Sequence, residues 1–395
     1  MAAPLALTTL LAVALTVRLA LLDAPGHPGD AIVIGRWAAN MATFGPWNFY
    51  EHDGALYPAL LYAYWPLGVF LHGADLARAI KGVSIPFDLA VGVVLYLAAR
   101  RLVGPAKALI APALYLFNPA VLLAGPVWGQ VDAAGTLAFL VALLALTSGR
   151  FGLAGASAMV ALLIKPQFGL VLLPVVVLAF IRGRTARTRE PLVRTAVGAA
   201  IAYLVIALPL RLDPISFLAR VLDAGGLKPM SSANAANIWG LFIGYKVPDG
   251  GLFYLGGVLL LLGLATAMLP LRRRQDLQII LAVGLFVIFA MYFLPTRVHE
   301  RYLFPAMAVL APLAAASWRV LVAYLLLAAG FAASMLYALV DTTTFRAGPW
   351  LDSLLTNPVA RIWISLTLIA TAATLVLLLI RPPNDPQGLP TVPRG

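Results

Sequence analysis

Ionisable and hydrogen-bonding side chains in this sequence gather in a few short segments beside long apolar runs. They are HPGD at 27–30, EHD at 51–53, WGQVD at 128–132, KPQ at 165–167 and TRVHER at 296–301. Ionisable groups at the edge of a bilayer cost free energy unless they are paired or hydrated, so these segments are candidate functional sites. Their residue types suit proton transfer, phosphate binding and recognition of hydroxyl groups.

Asp30 stands just before AIVIGRWAANMATFG, in which apolar residues recur at helical spacing. The spacing allows two interpretations. Asp30 caps an amphipathic helix that lies at the membrane interface. Alternatively, it is a general base whose pKa is tuned by partial desolvation and nearby cations.

Glu51 and Asp53 lie two residues apart, with His52 between them. Such a pair can present hard oxygen ligands to Mg²⁺ or Mn²⁺. Two acids in a polar loop are more often simply solvated, so we predict no certain cofactor and at most a divalent cation on Glu51 and Asp53. Asp53 is also the second candidate for the base.

Asp132 and Lys165 each stand at the end of an apolar run. One interpretation is that they form a structural ion pair. The other is that Lys165 binds a substrate phosphate, because phosphates favour fixed cations, while Gln130 or Asp132 hydrogen-bonds sugar hydroxyls.

Arg297, His299, Glu300 and Arg301 fall within five residues between two apolar runs. Arginines at a membrane interface often extend toward the headgroups. That behaviour does not explain the adjacent His-Glu pair, and we therefore predict a phosphate-binding segment. His299 is a candidate proton donor to a leaving group.

The elements that must position these residues are apolar. The chain of 395 residues is 62% hydrophobic and 11% charged, whereas soluble domains average roughly 45–50% apolar and about 25% charged. An ordinary soluble protein is excluded. The absence of cysteine excludes disulfides, thiolate nucleophiles and cysteine-based metal sites. No nucleotide-binding loop is present either, so a sugar or phosphate donor has to arrive through the membrane as a lipid.

Twelve apolar runs predict an all-α polytopic membrane protein with about 12 transmembrane helices, within a range of 10–14. Internal prolines in several runs predict broken or half-membrane helices. The first run, which has no basic residues before it, is read as a retained helix. The runs lie at about 4–22, 83–99, 108–126, 133–148, 151–164, 168–181, 195–210, 252–270, 277–294, 302–317, 319–339 and 361–380.

Basic residues alternate with the apolar runs in a way that predicts orientation. Short loops rich in Arg and Lys belong in the cytoplasm, which places both termini there in a multi-pass protein of the cytoplasmic membrane. The net charge of +12 is then explained by basic residues in the predicted cytoplasmic loops. It gives no reason to expect binding of nucleic acid. The predicted outer loops, which hold the histidines and nearly all the carboxylates, are 23–82, 211–251, 295–301 and 340–360, and a Pro-rich tail at 381–395 is predicted to be disordered.

Several motifs in a fixed order resemble the C-type glycosyltransferase (GT-C) superfamily, above all the bacterial and archaeal relatives of the lipid-phosphate-sugar-dependent mannosyl- and glucosyltransferases. They are GD after the first helix, DGALYPALLYAYWPLG, VWGQVDA, IKPQ and HERYLFP. The resemblance covers residues 1 to about 310. It implies a long first outer loop with amphipathic helices, a conserved module at 1–210 and a variable module at 211–380.

The resemblance also implies an activity. The expected reaction is inverting transfer of a single hexose, mannose favoured, from a polyprenyl-phosphate donor to a lipid-linked or glycan acceptor on the outer face, among membrane lipids. Asp30 matches the family's catalytic aspartate, and His299 and Arg301, with Arg297 and Lys165, are carried over as donor-phosphate binders. The remaining substrate-binding candidates are Glu51, His52, Tyr57, Trp128, Gln130, Asp132, Gln167 and Glu300.

A secondary transporter and a lipid-binding membrane protein without glycosyl transfer are the alternatives. A transporter is expected to show related halves and ionisable groups near the bilayer midplane. The chain shows no internal repeat, and its ionisable residues stand at the predicted outer ends of helices.

Overall fold

The structure, a computed structural model, describes residues 2–226 and 229–380, and these fold almost entirely into α-helices. The tail at 381–395, predicted to be disordered, lies outside the described residues. Isolated β-bridges are the only extended pairing found in the described part. The predicted all-α class is confirmed.

Ten helices cover the first half of the chain. They are α1 (Ala2–Leu21), α2 (Pro28–His52), α3 (Pro58–Phe70), α4 (Gly73–Gly82), α5 (Ser84–Val103), α6 (Ile110–Leu116), α7 (Pro119–Leu122), α8 (Asp132–Thr147), α9 (Phe151–Ile164) and α10 (Leu172–Thr185). The described residues that follow form α11 (Glu190–Ala207), α12 (Pro214–Gly226), α13 (Ile238–Phe242), α14 (Leu252–Ala267), α15 (Leu277–Phe293), α16 (Phe304–Ala316), α17 (Trp318–Thr342), α18 (Pro349–Thr356) and α19 (Pro358–Ile380).

All twelve predicted apolar runs are helical, but not all are long enough to cross a bilayer. Among the described residues, seven helices have the necessary length and apolarity, and an eighth span results if the bent pair 107–116 and 119–127 is counted as one. Three further apolar helices, α8, α9 and α15, are shorter. Length and composition therefore confirm a multi-pass membrane protein but do not confirm the predicted number of twelve.

The predicted outer loop at 23–82 is mainly helical, formed by α2, α3 and α4. Helix α2 is sharply kinked at Gly45, which has a φ of 69° and is followed by Pro46. Glycine adopts this left-handed conformation without a steric penalty, and proline cannot complete the helical hydrogen bonding. The kink turns the second half of α2 back, so that Asp53 reaches Arg36 and Asn40 in the first half.

The described chain divides into two compact units that are interleaved along the sequence. The first takes the chain up to Arg18, then Asp88–Ala124 and the chain from Met230 onward. The second takes Leu19–Phe87 and Gly125–Pro229. The sequence suggests a different division, into a conserved module before residue 210 and a variable module after it. That division stays a prediction.

In the second unit, glycines allow two helices to touch through their backbones. A Cβ atom on Gly155 of α9 would lie 2.1 Å from the carbonyl oxygen of Thr195, and one on Gly198 of α11 would lie 2.0 Å from that of Gly152. Small residues at helix contacts permit close approach where apolar lipid provides no force to drive helices together.

We expect Gly198→Leu to lower the midpoint of thermal unfolding in detergent, because the new side chain has to push α11 away from α9. Overpacking of this kind costs about 1–3 kcal/mol. The control is Ala200→Leu, which adds the same side chain at an exposed position of α11. Equal midpoints for the two variants would contradict the close contact.

In the first unit, the largest fully buried side chain among the described residues is a charged one. Arg18 and Asp88 are both fully buried, with 3.0 Å between Nε and Oδ2. Arg18 also donates to the carbonyl oxygen of Leu116 at 3.0 Å, and the Tyr115 hydroxyl donates to the other oxygen of Asp88 at 2.7 Å. A buried carboxylate with this many donors is compensated, but only while Arg18 remains.

Replacing Arg18 by Met is expected to destabilise the protein by about 3–5 kcal/mol, because it leaves an unpaired carboxylate in the interior. The double variant Arg18→Met/Asp88→Leu removes both charges and is expected to recover much of that loss. Thermal unfolding in the same detergent measures both. A double variant less stable than the single one would show that the pair is not the cause.

Candidate functional site

The start of helix α2 fixes the position of Asp30. His27 precedes Pro28, has an extended backbone, and caps the helix by accepting a hydrogen bond from the Asp30 amide on its Nδ1 at 3.1 Å. The residue before a proline is driven out of the helical region, which sets the start here. The N-cap interpretation of Asp30 is therefore wrong: His27 is the cap, and the Asp30 side chain is available for other contacts.

Two donors from a single loop hold the Asp30 carboxylate. Trp128 Nε1 donates to Oδ2 at 2.8 Å, and Gln130 Nε2 donates to the same oxygen. The His27 ring stacks on Trp128, with centroids 5.0 Å apart and parallel planes. Both donors are nitrogen-bound hydrogens, which favour the ionised carboxylate as their acceptor. About a third of the Asp30 side chain, 32%, is still exposed.

The loop needs a glycine between its two donors. Gly129 has a φ of 94°, and a Cβ atom there would lie 2.9 Å from the Lys81 side chain. Lys81 is buried, and its ammonium donates to the carbonyl oxygens of Leu22 and Ala24 at 2.6 and 2.7 Å. The chain just before Asp30 and the loop that carries Trp128 are thus both packed around one lysine.

Helices α8 and α9 bring Asp132 and Lys165 together. They are consecutive antiparallel helices joined by a short turn, so the first residue of α8 lies beside the residue that ends α9. Pro166 ends α9 because it forces Lys165 into an extended conformation, with φ −154° and ψ 132°. A carboxylate at a helix N-terminus and an ammonium at a C-terminus also complement the helix dipoles.

The Lys165 ammonium is fully buried and donates to Asp132 Oδ1 at 2.6 Å and Gln130 Oε1 at 2.7 Å. The predicted ion pair is present. This burial leaves the ammonium no exposed surface with which to meet a substrate phosphate, the other predicted role. Instead, the Lys165 ammonium donates a hydrogen bond to the oxygen of the Gln130 amide. The NH₂ group of that amide is therefore directed toward Asp30.

Aromatic residues line the same cluster. The Tyr57 ring lies 5.3 Å from the Lys165 ammonium and packs edge-on against Trp37. The Tyr64 hydroxyl is fully buried and makes no hydrogen bond within the described residues. Burial, followed by the nearby Tyr57 and the charges of Asp132 and Asp30, raises the pKa of Tyr64, so its hydroxyl stays a donor. Gln167, also predicted to bind substrate, is half-buried.

The acid pair at 51–53 is not arranged to hold a cation. Asp53 is almost fully buried, at 4% exposure, and receives hydrogen bonds from Arg36 at 3.0 Å, Asn40 at 2.8 Å and the Gly54 amide at 2.7 Å. Glu51 is exposed and lies 3.9 Å from Arg211, while His52 stacks on Phe44.

The described residues contain no cluster of three or more His, Asp or Glu side chains suited to a metal ion. With its carboxylate oxygens engaged by nitrogen donors, Asp53 does not fit the possible Mg²⁺ or Mn²⁺ role. The same engagement and burial make it a poor general base, so the geometry does not favour this second candidate.

The segment at 297–301 belongs to the first unit and is densely paired. Arg297 binds Asp249 at 2.7 Å through Nε, and Arg301 donates to Glu300 at 3.0 Å. Burial opposes ionisation of Glu300, but the adjacent His299 and Arg301 outweigh it and lower its pKa to about 2. The backbone of this segment bonds to the loop at 230–234, which fixes its course.

Sequence reasoning missed three of the residues that build these clusters: His27, Tyr64 and Asp249. The His-Pro dipeptide before a helical pattern was the available signal for His27. Tyr64 and Asp249 lie in segments whose local pattern gives no indication of their contacts.

No family model and no curated protein sequence matches the chain. Solved structures do match it. ArnT from Cupriavidus metallidurans, bound to undecaprenyl phosphate, is 16% identical with a TM-score of 0.53, over 94% of this chain and 76% of that one.

Arabinosyltransferase EmbB from Mycobacterium smegmatis is 17% identical, with a TM-score of 0.46, over 94% of this chain and 41% of that one. The oligosaccharyltransferase AglB from Archaeoglobus fulgidus is 13% identical, with a TM-score of 0.46, over 94% and 56%. Of these three structures, ArnT has a TM-score above 0.5. At 16% identity, this similarity shows a shared fold and nothing further. The chain therefore shares the fold of ArnT.

Proposed function

We propose that this protein is an inverting glycosyltransferase that moves a single hexose, mannose favoured, from a polyprenyl-phosphate donor to a lipid-linked or glycan acceptor. The observation that carries the proposal is the Asp30 carboxylate, which is held by Trp128 and Gln130 and still 32% exposed. A general base needs this combination: a fixed carboxylate oxygen and room for the hydroxyl group whose proton it takes.

In the proposed reaction, an acceptor hydroxyl loses its proton to Asp30 as its oxygen forms a bond to the anomeric carbon of the donor. The bond between that carbon and the phosphate oxygen breaks, and its electron pair leaves with the polyprenyl phosphate. The single displacement inverts the anomeric centre.

Lys165 acts as a positioning residue in this proposal. Its ammonium fixes the Gln130 amide, and the amide in turn fixes Asp30. Preorganised hydrogen bonds avoid reorganisation when the charge changes during the reaction. Asp132 balances the buried ammonium at 2.6 Å, so the cation that orders the cluster is not left as an unpaired buried charge.

The donor class has support from the fold. ArnT, which shares it, is described with bound undecaprenyl phosphate, and the apolar helices of this chain provide surfaces for a lipid. We further propose the outer face of the cytoplasmic membrane as the site of reaction, from the distribution of basic residues, with donor-phosphate contacts from Arg297, His299 and Arg301. The remaining assignments to substrate binding stay predictions, namely Glu51, His52, Tyr57, Trp128, Gln130, Asp132, Gln167 and Glu300.

Asp30→Asn is expected to reduce transfer by about 10²–10⁴-fold, because an amide cannot accept the proton. The assay uses the purified protein in detergent, radiolabelled polyprenyl-phosphate mannose, glucose and other monosaccharide donors, and a lipid extract as acceptor. Asp75→Asn is the matched control, since it removes an exposed carboxylate from the same unit.

Two results would contradict the proposal in different ways. Product formation by Asp30→Asn at the native rate would retain the transferase and reject the base. Absence of product from every donor, combined with solute uptake in sealed vesicles, would favour a transporter.

Trp128→Phe and Gln130→Ala each remove one hydrogen-bond donor from Asp30. Loss of a donor to a carboxylate raises its pKa, because the charged form loses a hydrogen bond that stabilises it. We therefore expect the acidic limb of the kcat/KM profile to move to higher pH in both variants.

Trp47→Phe is the control for the indole substitution, because Trp47 is about half exposed and packs under Arg211. Its profile is expected to coincide with that of the native protein. A lower rate with an unmoved acidic limb in the Trp128 and Gln130 variants would show that these residues support the structure without tuning the base.

A further inference from the structure

An elongated groove lies in the first unit, apart from the residues assigned above. Its volume is about 920 Å³, and it is bordered by helices α14, α15 and α19. The α15 wall carries Phe286, Phe289, Ala290 and Phe293, and the remaining lining is also mostly apolar. A groove of this composition suits a hydrocarbon chain.

The length of the groove fits one lipid tail. Its lining on α15 extends from Ile279 to Phe293, which corresponds to about 21 Å at 1.5 Å per residue. One leaflet contributes about half of a hydrocarbon core that is about 30 Å thick. An acyl chain that enters along α15 therefore finds apolar contacts over its whole depth in the leaflet.

One end of this groove is basic. Arg272, Arg273 and Arg274 line it consecutively, just after α14. Arg274 is paired with Asp276 at 2.9 Å. Arg272 and Arg273 are exposed, and neither side chain bonds to another residue of the described chain. Two guanidinium groups are thus available beside the apolar groove.

We propose that this groove binds an anionic glycerophospholipid, with an acyl chain along α15 and the phosphate at Arg272 and Arg273. Guanidinium groups form strong paired hydrogen bonds to phosphate oxygens. Basic pockets between membrane helices are suited to acidic headgroups on the cytoplasmic side, where the charge distribution of the sequence predicts this arginine triplet to lie.

The proposed lipid is bound and not consumed. The groove contains none of the residues assigned to transfer, so the inference does not depend on the glycosyltransferase proposal. A zwitterionic phospholipid would fill the apolar part equally well and also carries a phosphate, but its own ammonium group offsets the negative charge that the two guanidinium groups attract. Charge complementarity therefore selects the acidic class.

The test measures lipid binding to the delipidated full-length protein in detergent by native mass spectrometry. Dioleoyl phosphatidylglycerol, dioleoyl phosphatidylcholine and a short-chain polyprenyl phosphate are titrated separately. We expect phosphatidylglycerol to bind most tightly. Arg272→Gln/Arg273→Gln is expected to weaken it roughly 25-fold, because each interfacial arginine contributes about fivefold.

A second variant tests the groove itself. Ala373 lines it on α19 and is exposed, so Ala373→Trp fills the tail site with little effect on packing elsewhere. We expect it to abolish tight binding of phosphatidylglycerol. Arg184→Gln/Arg189→Gln, which removes two exposed charges outside the groove, is the matched control and is expected to bind as the native protein does.

Three outcomes would overturn the proposal. Equal affinity for phosphatidylglycerol and phosphatidylcholine would exclude a headgroup site. Equal losses in the Arg272/Arg273 and Arg184/Arg189 variants would indicate diffuse attraction to surface charge. Tighter binding of the polyprenyl phosphate would assign the groove to a different lipid. If Ala373→Trp fails to fold, the arginine variant and its control decide the question.

Discussion

A fully buried ammonium group, that of Lys165, imposes the constraint on which the Asp30 cluster depends. A charge removed from water has to be neutralised and hydrogen-bonded. Asp132 supplies the opposite charge and Gln130 a second acceptor. Because the oxygen of the Gln130 amide is committed, its nitrogen is directed at Asp30. The orientation of an exposed carboxylate is therefore set by a cation that has no contact with solvent.

The helices were largely predictable because their signals are local. The twelve apolar runs, 14 to 21 residues long, predict helices that lie in or near a membrane, and prolines such as Pro28 and Pro166 mark where helices begin and end. The number of crossings was harder to predict. Helices α8 and α9 are as apolar as the others but shorter, and apolarity alone does not tell a crossing helix from one that is buried in protein.

Within the candidate site, residue types were predictable but partners were not. Asp30, Gln130, Asp132 and Lys165 were all identified from their positions beside apolar runs. Their hydrogen bonds join residues up to 100 positions apart in the chain, which no local pattern specifies. The two interpretations of the Asp132–Lys165 pair illustrate this limit, since burial decides between them and burial is a property of the folded chain.

The kink at Gly45 has a consequence for the order of assembly. The contacts that hold α2 in its folded-back form join Arg36 and Asn40 to Asp53, at most 17 residues apart. The donors to Asp30 come 98 and 100 residues after it. Trp128 and Gln130 follow Asp53 by 75 and 77 residues, so at a synthesis rate of about 5–20 residues per second the kinked helix is complete roughly 4–15 s before they are made. The two hydrogen bonds that fix the orientation of the Asp30 carboxylate therefore form only after the kinked helix that carries it has been made.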